Sequence, residues 1–143
     1  MIFVRGSTVF SRVFILKSFS LRGIVFSGHG EGEKFVALSW VRVQVEEKVG
    51  FKPYPGTLNL KLSQRSLHVR KKLEQAVSSR ICPPKGYCSG IVSAASIGNL
   101  KAAIIIPEMK DYPEDVLEII APVNLRDFLV VKDGDEVVVR IKI

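Results

Sequence analysis

The chain has 143 residues, of which 47% are hydrophobic, and this length and composition suit one globular domain with a single sizeable core. The formal net charge is +7, and four basic residues, Arg5, Arg12, Lys17 and Arg22, precede the first acidic residue, Glu31. Because no basic helix interleaved with aromatic residues and no zinc-finger spacing accompanies this charge, the sequence does not predict a nucleic-acid partner.

The first twenty residues mix Phe, Val and Ile with Ser and Arg, and no apolar run in them is longer than the four residues 13–16. Such a run is too short for a secretory signal or a membrane-spanning helix, so we expect a cytoplasmic protein without a membrane partner. The segment fits an extra strand, a flexible basic tail or a start codon placed too early. The residues alone do not decide among these three.

Residues 21–26 predict a first strand, which leads into the segment Ser-Gly-His-Gly-Glu-Gly-Glu-Lys at residues 27–34. Glycines at alternate positions permit unusual backbone conformations and let N–H groups approach an anion closely. The run is not a P-loop, because no Gly-Lys-Ser/Thr follows, and Glu33 stands where a dinucleotide fingerprint would have its third glycine. On its own, the run favours an ordinary hairpin loop.

The next segments give one clear pattern and one conflict. Residues 35–38 predict a second strand. In residues 39–49, valines at 41, 43 and 45 alternate as in a strand, whereas valines at 41, 45 and 49 have helical spacing. Ser39 as an N-cap and Gly50 as a C-terminal stop favour the helix.

The stretch from Pro53 to Leu62 contains the most informative pattern. Pro53, Pro55 and Gly56 predict a tight, non-helical turn. After it, a pleated strand places Leu58, Leu60 and Leu62 on one face and Thr57, Asn59 and Lys61 on the other. A hydroxyl and a carboxamide oxygen two positions apart can reach one hard cation. Periodicity alone favours an ordinary strand with a solvated polar face.

The second half of the chain is rich in strands. Residues 67–77 first give a short helical pattern with a basic, solvated face. Residues 90–97 and 100–106 then predict a hairpin around Gly98-Asn99, and residues 136–143 predict a last strand after a turn at residues 132–135.

Two features of this half leave alternatives open. Glu118 is the one acid in the apolar run of residues 116–120, so it either has a buried partner or points outward from a strand edge. Cys82 and Cys88 lack the further ligands of a zinc site, and the sequence does not decide whether they form a disulfide.

Three motifs occur in a fixed order: Ser-Gly-His-Gly-Glu-Gly at residues 27–32, Gly-Phe-Lys-Pro-Tyr-Pro-Gly-Thr-Leu-Asn-Leu at residues 50–60, and Leu-Glu-Ile-Ile-Ala-Pro-Val-Asn-Leu-Arg at residues 117–126. Together they make residues 21–143 resemble the archaeal CTP-dependent riboflavin kinase family. Residues 1–20 fall outside the resemblance, which therefore implies an extension of unknown role at residues 1–20 and a domain at residues 21–143. The resemblance implies a mainly β fold, a small closed six-stranded β-barrel of the cradle-loop type with short helices. It also favours the helix at residues 39–49.

The resemblance further implies transfer of the γ-phosphoryl group of CTP to the 5′-hydroxyl of riboflavin, which yields FMN and CDP, with Mg²⁺ as cofactor. Thr57 and Asn59 are the implied metal ligands, and Glu118 is an implied flavin-binding residue. The implied nucleotide site consists of Gly28, His29, Gly30, Glu31, Gly32, Glu33, Lys34, Val123, Asn124, Leu125 and Arg126. We expect a monomer, and no residue is identified as a general base.

The sequence departs from the family pattern at Lys110, where the family has a threonine that hydrogen-bonds the flavin. A lysine cannot accept a hydrogen bond, but it can pair with the phosphate of FMN, so we include Lys110 among the flavin-binding residues. Two other classes of function stay open. A DNA-binding regulator would lose affinity steeply with salt, and a non-catalytic flavin-binding module would bind FMN without consuming a nucleotide.

Overall fold

The structure is a computed structural model that describes residues 17–28, 30–76 and 79–143. The predictions for residues 1–16, His29 and Val77 lie outside these residues. The described elements, in chain order, are β1 Ser18–Phe26, α1 Glu31–Ala37, α2 Ser39–Val49, β2 Leu58–Leu62, α3 Gln64–Ala76, β3 Arg80–Ile81, β4 Gly90–Ile97, β5 Leu100–Pro107, β6 Val116–Ile120, α4 Leu125–Leu129 and β7 Glu136–Lys142.

Six of the strands form a closed antiparallel barrel in the order β4, β5, β6, β2, β1, β7. The barrel closes where Ser96 of β4 lies opposite Arg140 of β7, while the short β3 pairs with the other end of β4. Closure pairs the two strands that would otherwise form open sheet edges. The predicted six-stranded barrel with short helices is confirmed.

The barrel wall separates two apolar clusters. The larger cluster fills the interior and includes Leu21, Leu60, Leu117 and Ile119. The smaller one lies outside the wall, where Phe35, Val36, Val41 and Val45 of α1 and α2 pack on Val92, Ala103, Ile105 and Ile120. Strand β6 is therefore covered on both faces, and all five of its residues are buried. Glu118 does not point outward from a strand edge.

The predicted strand at residues 35–38 is wrong, because these residues belong largely to α1. Gly30 has φ 80°, a left-handed conformation that turns the chain into the helix. Gly32, Phe35 and Val36 are the buried residues of α1, at helical spacing. Four consecutive apolar residues are too few for periodicity to distinguish a strand from a helix.

The other predicted elements are present, with small changes at their ends. Strand β1 begins at Ser18 instead of Leu21, and Lys17 and Ile143 exchange two backbone hydrogen bonds of 2.9 Å at its start. Helix α2 ends at Gly50 with φ 78° as predicted, but its N-cap position is Leu38 rather than Ser39. Sequence patterns missed the two-residue β3 and the five-residue α4.

Both cysteines are free thiols, Cys82 exposed and Cys88 half-buried. None of the helices in the described part of the chain has both the length and the apolar character that crossing a membrane requires.

Gly90 is a packing constraint between the barrel and α1. A Cβ atom at this position would lie 2.6 Å from the Phe35 ring. We expect Gly90→Ala to lower the free energy of unfolding by about 1–3 kcal/mol, because the ring cannot move without disturbing the outer cluster. Ser93→Ala, on the same strand, should change it by less than about 0.5 kcal/mol. Urea denaturation of both variants checks this, and equal midpoints would contradict the packing argument.

Val130 carries backbone strain at the end of α4. It is a β-branched residue with φ 55°, and its side chain is 85% exposed. Val130→Gly should therefore raise stability by about 1 kcal/mol, because glycine adopts this conformation without strain and little packing is lost. Val43→Gly, at an exposed position inside α2, should instead lower stability. Thermal denaturation of the two variants should show shifts of opposite sign.

Candidate active site

Glu118 is a carboxylate in the middle of β6 whose side chain is only 1% exposed. It accepts three hydrogen bonds: from the Thr57 hydroxyl to Oε1 at 2.7 Å, and from the Gly32 N–H and the Tyr112 hydroxyl to Oε2 at 2.9 and 2.5 Å. None of the ion pairs among the described residues includes it. Hydrogen-bond donors alone therefore replace the water that this carboxylate loses on burial.

Two glycines allow the loop before α1 to approach this part of the wall. A Cβ atom at Gly32 would lie 2.2 Å from Glu118 Oε1, so no other residue permits the same approach. A Cβ atom at Gly28 would lie 2.8 Å from the Asn59 carboxamide. The glycine run thus does bring an N–H group close to an anion, and in this structure that anion is the Glu118 side chain.

Strand β2 carries the two candidate metal ligands. Asn59 lies opposite Glu118 on β6 and opposite Phe26 on β1, and Thr57 precedes it by two positions on the same face. The turn before the strand depends on Gly56, whose φ is 119°. Both ligand candidates are half-buried, as expected for a strand face that is partly covered by a loop.

A first cavity of about 300 Å³ opens beside Thr57. It is lined by Glu33, Tyr54, Pro55, Gly56, Thr57, Leu58, Ile119, Ala121, Val123, Asn124, Leu125 and Arg126. The structure therefore brings together residues of the second and third motifs with Glu33, which follows the first motif. The Glu33 carboxylate faces the turn, because its Oε2 lies 3.3 Å from the place of a Cβ at Gly56.

Asn124 and Arg126 have fixed orientations in this cavity. Asn124 caps α4 by accepting a hydrogen bond from the Asp127 N–H at 3.2 Å. Arg126 donates to Asp133 Oδ1 at 2.6 Å. The Arg126 hydrogen bond, followed by one from Ser27, lowers the pKa of the Asp133 carboxyl. Asp133 therefore does more than form a turn, because it also anchors Arg126.

A second cavity of about 310 Å³ is lined by Tyr112, another hydrogen-bond donor to Glu118. Its lining is partly apolar and partly charged, and consists of Arg70, Glu74, Ile91, Ile106, Pro107, Glu108, Met109, Lys110 and Tyr112. Burial, and then the charge of Glu118, raise the pKa of the Tyr112 hydroxyl, so this group stays a proton donor. Tyr112 lines this cavity while hydrogen-bonding the same carboxylate that Thr57 reaches from the first cavity.

Arg70 holds the segment that presents Tyr112. Its side chain is 4% exposed, and its guanidinium lies over the Tyr112 ring, 5.7 Å from the centroid. Its Nη1 donates to the backbone carbonyls of Pro113 and Glu114. The sequence pattern put Arg70 in the predicted helix at residues 67–77 without a role in the site, and it did not indicate Tyr112. Nothing in the local pattern indicates that either residue packs beside Glu118.

The structure places the predicted site residues as follows. Glu33, Thr57, Val123, Asn124, Leu125 and Arg126 line the first cavity, and Lys110 lines the second. Asn59 and Glu118 line neither cavity, and Glu118 accepts a hydrogen bond from one lining residue of each. Of the other glycine-loop residues described, Gly28, Gly30, Glu31, Gly32 and Lys34 do not line the first cavity. The roles assigned to these residues stay predictions. The carboxylate of Glu118 meets protein donors, and the flavin contact implied for it stays a prediction as well.

The chemistry of the oxygen donors on β2 fits Mg²⁺. Thr57 donates its single hydroxyl proton to Glu118, which leaves its lone pairs available to a cation. In the described residues there is no group of three or more His, Cys, Asp or Glu side chains that could hold a metal ion. The two oxygen donors of Thr57 and Asn59 suit a cation that takes few protein ligands and completes its coordination with phosphate oxygens and water.

Comparison with known proteins identifies the family of this chain. A family model described as "CTP-dep_RFKase: Domain of unknown function DUF120" matches residues 25–141. A protein named riboflavin kinase from Methanosarcina barkeri is 40% identical over 139 residues, 93% of this chain and 62% of that protein. A protein named riboflavin kinase from Archaeoglobus fulgidus is 41% identical over 128 residues, 85% of this chain and 54% of that protein. The one from Pyrobaculum aerophilum is 43% identical over 137 residues, 91% of this chain and 64% of that protein.

The chain spans about 60% of the length of these curated relatives. The family match nevertheless begins in the last two residues of β1 and ends one residue before the end of β7. All three sequence motifs lie inside it. The chain therefore belongs to the CTP-dependent riboflavin kinase domain family.

Proposed function

We propose that this chain transfers the γ-phosphoryl group of CTP to the 5′-hydroxyl of riboflavin and so produces FMN and CDP. The observation that carries the proposal is the Thr57 hydroxyl, which lines the first cavity while donating its proton to the buried Glu118. Family membership and the name riboflavin kinase on the relatives support the reaction class, and the family description supports CTP as the donor.

The first cavity is the proposed place of the nucleotide. Arg126 supplies a cation there, and Asn124 and the backbone of α4 supply polar groups. Glu33 adds a negative charge to the same cavity, which favours a bound cation over a bare phosphate beside the turn. Thr57 and Asn59 would hold Mg²⁺, and the bound cation would neutralise part of the phosphate charge.

The second cavity is the proposed place of riboflavin. Ile91, Ile106 and Met109 give it apolar walls suited to a flat aromatic ring system, and Lys110 adds a cation at its surface. Thr57 of the first cavity and Tyr112 of the second hydrogen-bond different oxygens of the Glu118 carboxylate, so one lining residue of each cavity lies beside the same side chain. Phosphoryl transfer needs closeness of donor and acceptor more than it needs a covalent catalyst.

The metal site can be tested on the polar face of β2. Asn59→Ala and Thr57→Val should each lower the rate of FMN formation by roughly two to three powers of ten, because each removes an oxygen donor near the developing charge. Thr57→Ser keeps the hydroxyl and should retain most of the activity. Lys61→Ala, at the exposed end of the same face, is the matched control and should be unaffected.

The measurement is the separation of FMN from riboflavin after incubation with CTP and Mg²⁺. Excess Mg²⁺ or Mn²⁺ should restore part of the rate in the Asn59 and Thr57 variants, because weaker binding is offset by mass action. If both variants turned over at the rate of the Lys61 control, β2 would be an ordinary solvated strand and the metal assignment would fail.

The nucleotide preference needs a separate experiment. We expect CTP to support FMN formation at a rate at least one hundredfold above ATP, because a site that hydrogen-bonds the cytosine edge leaves those groups unpaired with adenine. Rates with CTP, UTP, GTP and ATP at equal concentration check this. Equal rates with all four would contradict the CTP preference and leave the kinase reaction itself intact.

A further inference from the structure

The proposed function uses Thr57 as a metal ligand, but it gives no role to Tyr112 or Arg70, and it gives Glu118 only an implied contact with flavin. These three side chains form a continuous chain of contacts that ends at Thr57. Arg70 lies over the ring of Tyr112, Tyr112 donates to Glu118, and Glu118 accepts from Thr57. The two sides of the Glu118 carboxylate are thus occupied by different hydroxyl groups.

We propose that Glu118 and Tyr112 are positioning residues that turn the lone pairs of Thr57 toward the first cavity and so make it a cation ligand. The inference rests on the proposed metal site, and it extends that site to a residue, Tyr112, that lines the second cavity. Neither side chain touches the cation. Both act through the direction of one hydroxyl proton.

The first step is the direction of the Thr57 hydroxyl. A hydroxyl has one proton and two lone pairs, and an ionised carboxylate can only accept. Because Thr57 donates its hydroxyl proton in a hydrogen bond to Glu118 Oε1, with 2.7 Å between the two oxygens, it offers only lone pairs to whatever occupies the first cavity. It can therefore bind a cation there, and it cannot donate to a phosphate oxygen. Without this acceptor, the hydroxyl would be free to rotate and to donate.

The second step is the fixed position of Glu118 itself. A carboxylate that accepted only from Thr57 could rotate about its last torsion angle, which is broad for Glu. Tyr112 and Gly32 hold Oε2 from two sides, so that Oε1 faces Thr57. Tyr112 is in turn held by the Arg70 guanidinium over its ring and by the Arg70 hydrogen bonds to the two following carbonyl groups of Pro113 and Glu114.

The test is Mn²⁺ binding, measured by the loss of the free-ion electron paramagnetic resonance signal, with and without CTP. Tyr112→Phe removes one oxygen and leaves the ring, and it should weaken Mn²⁺ binding about tenfold, as removal of groups that orient metal ligands usually does. Tyr87→Phe makes the same chemical change on an exposed ring that packs on Trp40, and it should bind Mn²⁺ like the wild type. Thr57→Val should lose most of the binding.

Glu118→Gln is the second variant. Its amide group presents a donor either to Thr57 or to Tyr112, so one of these two hydroxyl groups loses its hydrogen-bond acceptor. Its folding is checked by thermal denaturation without metal. If that variant does not fold, Tyr112→Phe still decides the question, since it leaves the carboxylate and its other donors in place. A merely structural role of Tyr112 would lower thermal stability without changing the dissociation constant for Mn²⁺.

The outcomes separate this inference from the proposed function. If Tyr112→Phe binds Mn²⁺ as tightly as the wild type while Thr57→Val does not, the positioning role is wrong and the metal site stands. If the wild type binds no Mn²⁺, both the metal site and this inference are wrong. If the expected order of affinities is found but riboflavin is not phosphorylated, the inference stands and the proposed reaction is wrong.

Discussion

A carboxylate in the middle of a buried strand costs several kcal/mol unless donors replace the water it loses. In this barrel the donors for Glu118 come from three segments far apart in the chain: the first turn of α1, the turn before β2 and the loop before β6. The carboxylate can be buried at low cost only when all three segments have reached their places. The same interaction therefore completes the fold and assembles the walls of both cavities.

The barrel makes this arrangement possible because its wall is covered on two sides. Leu117 and Ile119 of β6 face the interior, whereas Glu118 and Ile120 face the cover formed by α1 and α2. A strand in an open, one-sided sheet would leave the Glu118 position in water, where three fixed donors would have little effect. Gly32 is essential to the cover, since a Cβ there would overlap the carboxylate.

Sequence patterns predicted the elements whose signals are local. The alternation in β2, the Gly98-Asn99 hairpin and the Gly50 stop of α2 depend on neighbouring residues, and all three are present. The strand predicted at residues 35–38 was wrong, because only the tertiary cover distinguishes a short apolar helix from a strand. The partners of Glu118 could not be predicted either. Its hydrogen bonds span 6, 61 and 86 positions, and two of them join residues that no local pattern relates.

The hydrogen bonds of Glu118 also link the linings of the two cavities. Thr57 of the first cavity and Tyr112 of the second each donate a hydroxyl proton to this one carboxylate. Because both hydroxyl groups are held by one carboxylate, a displacement of Glu118 would move a lining residue of each cavity at the same time. The Gly32 N–H prevents such a displacement, since it holds the same oxygen that Tyr112 holds. The positions of Thr57 and Tyr112 are therefore coupled through one buried side chain, although the two residues belong to different cavities.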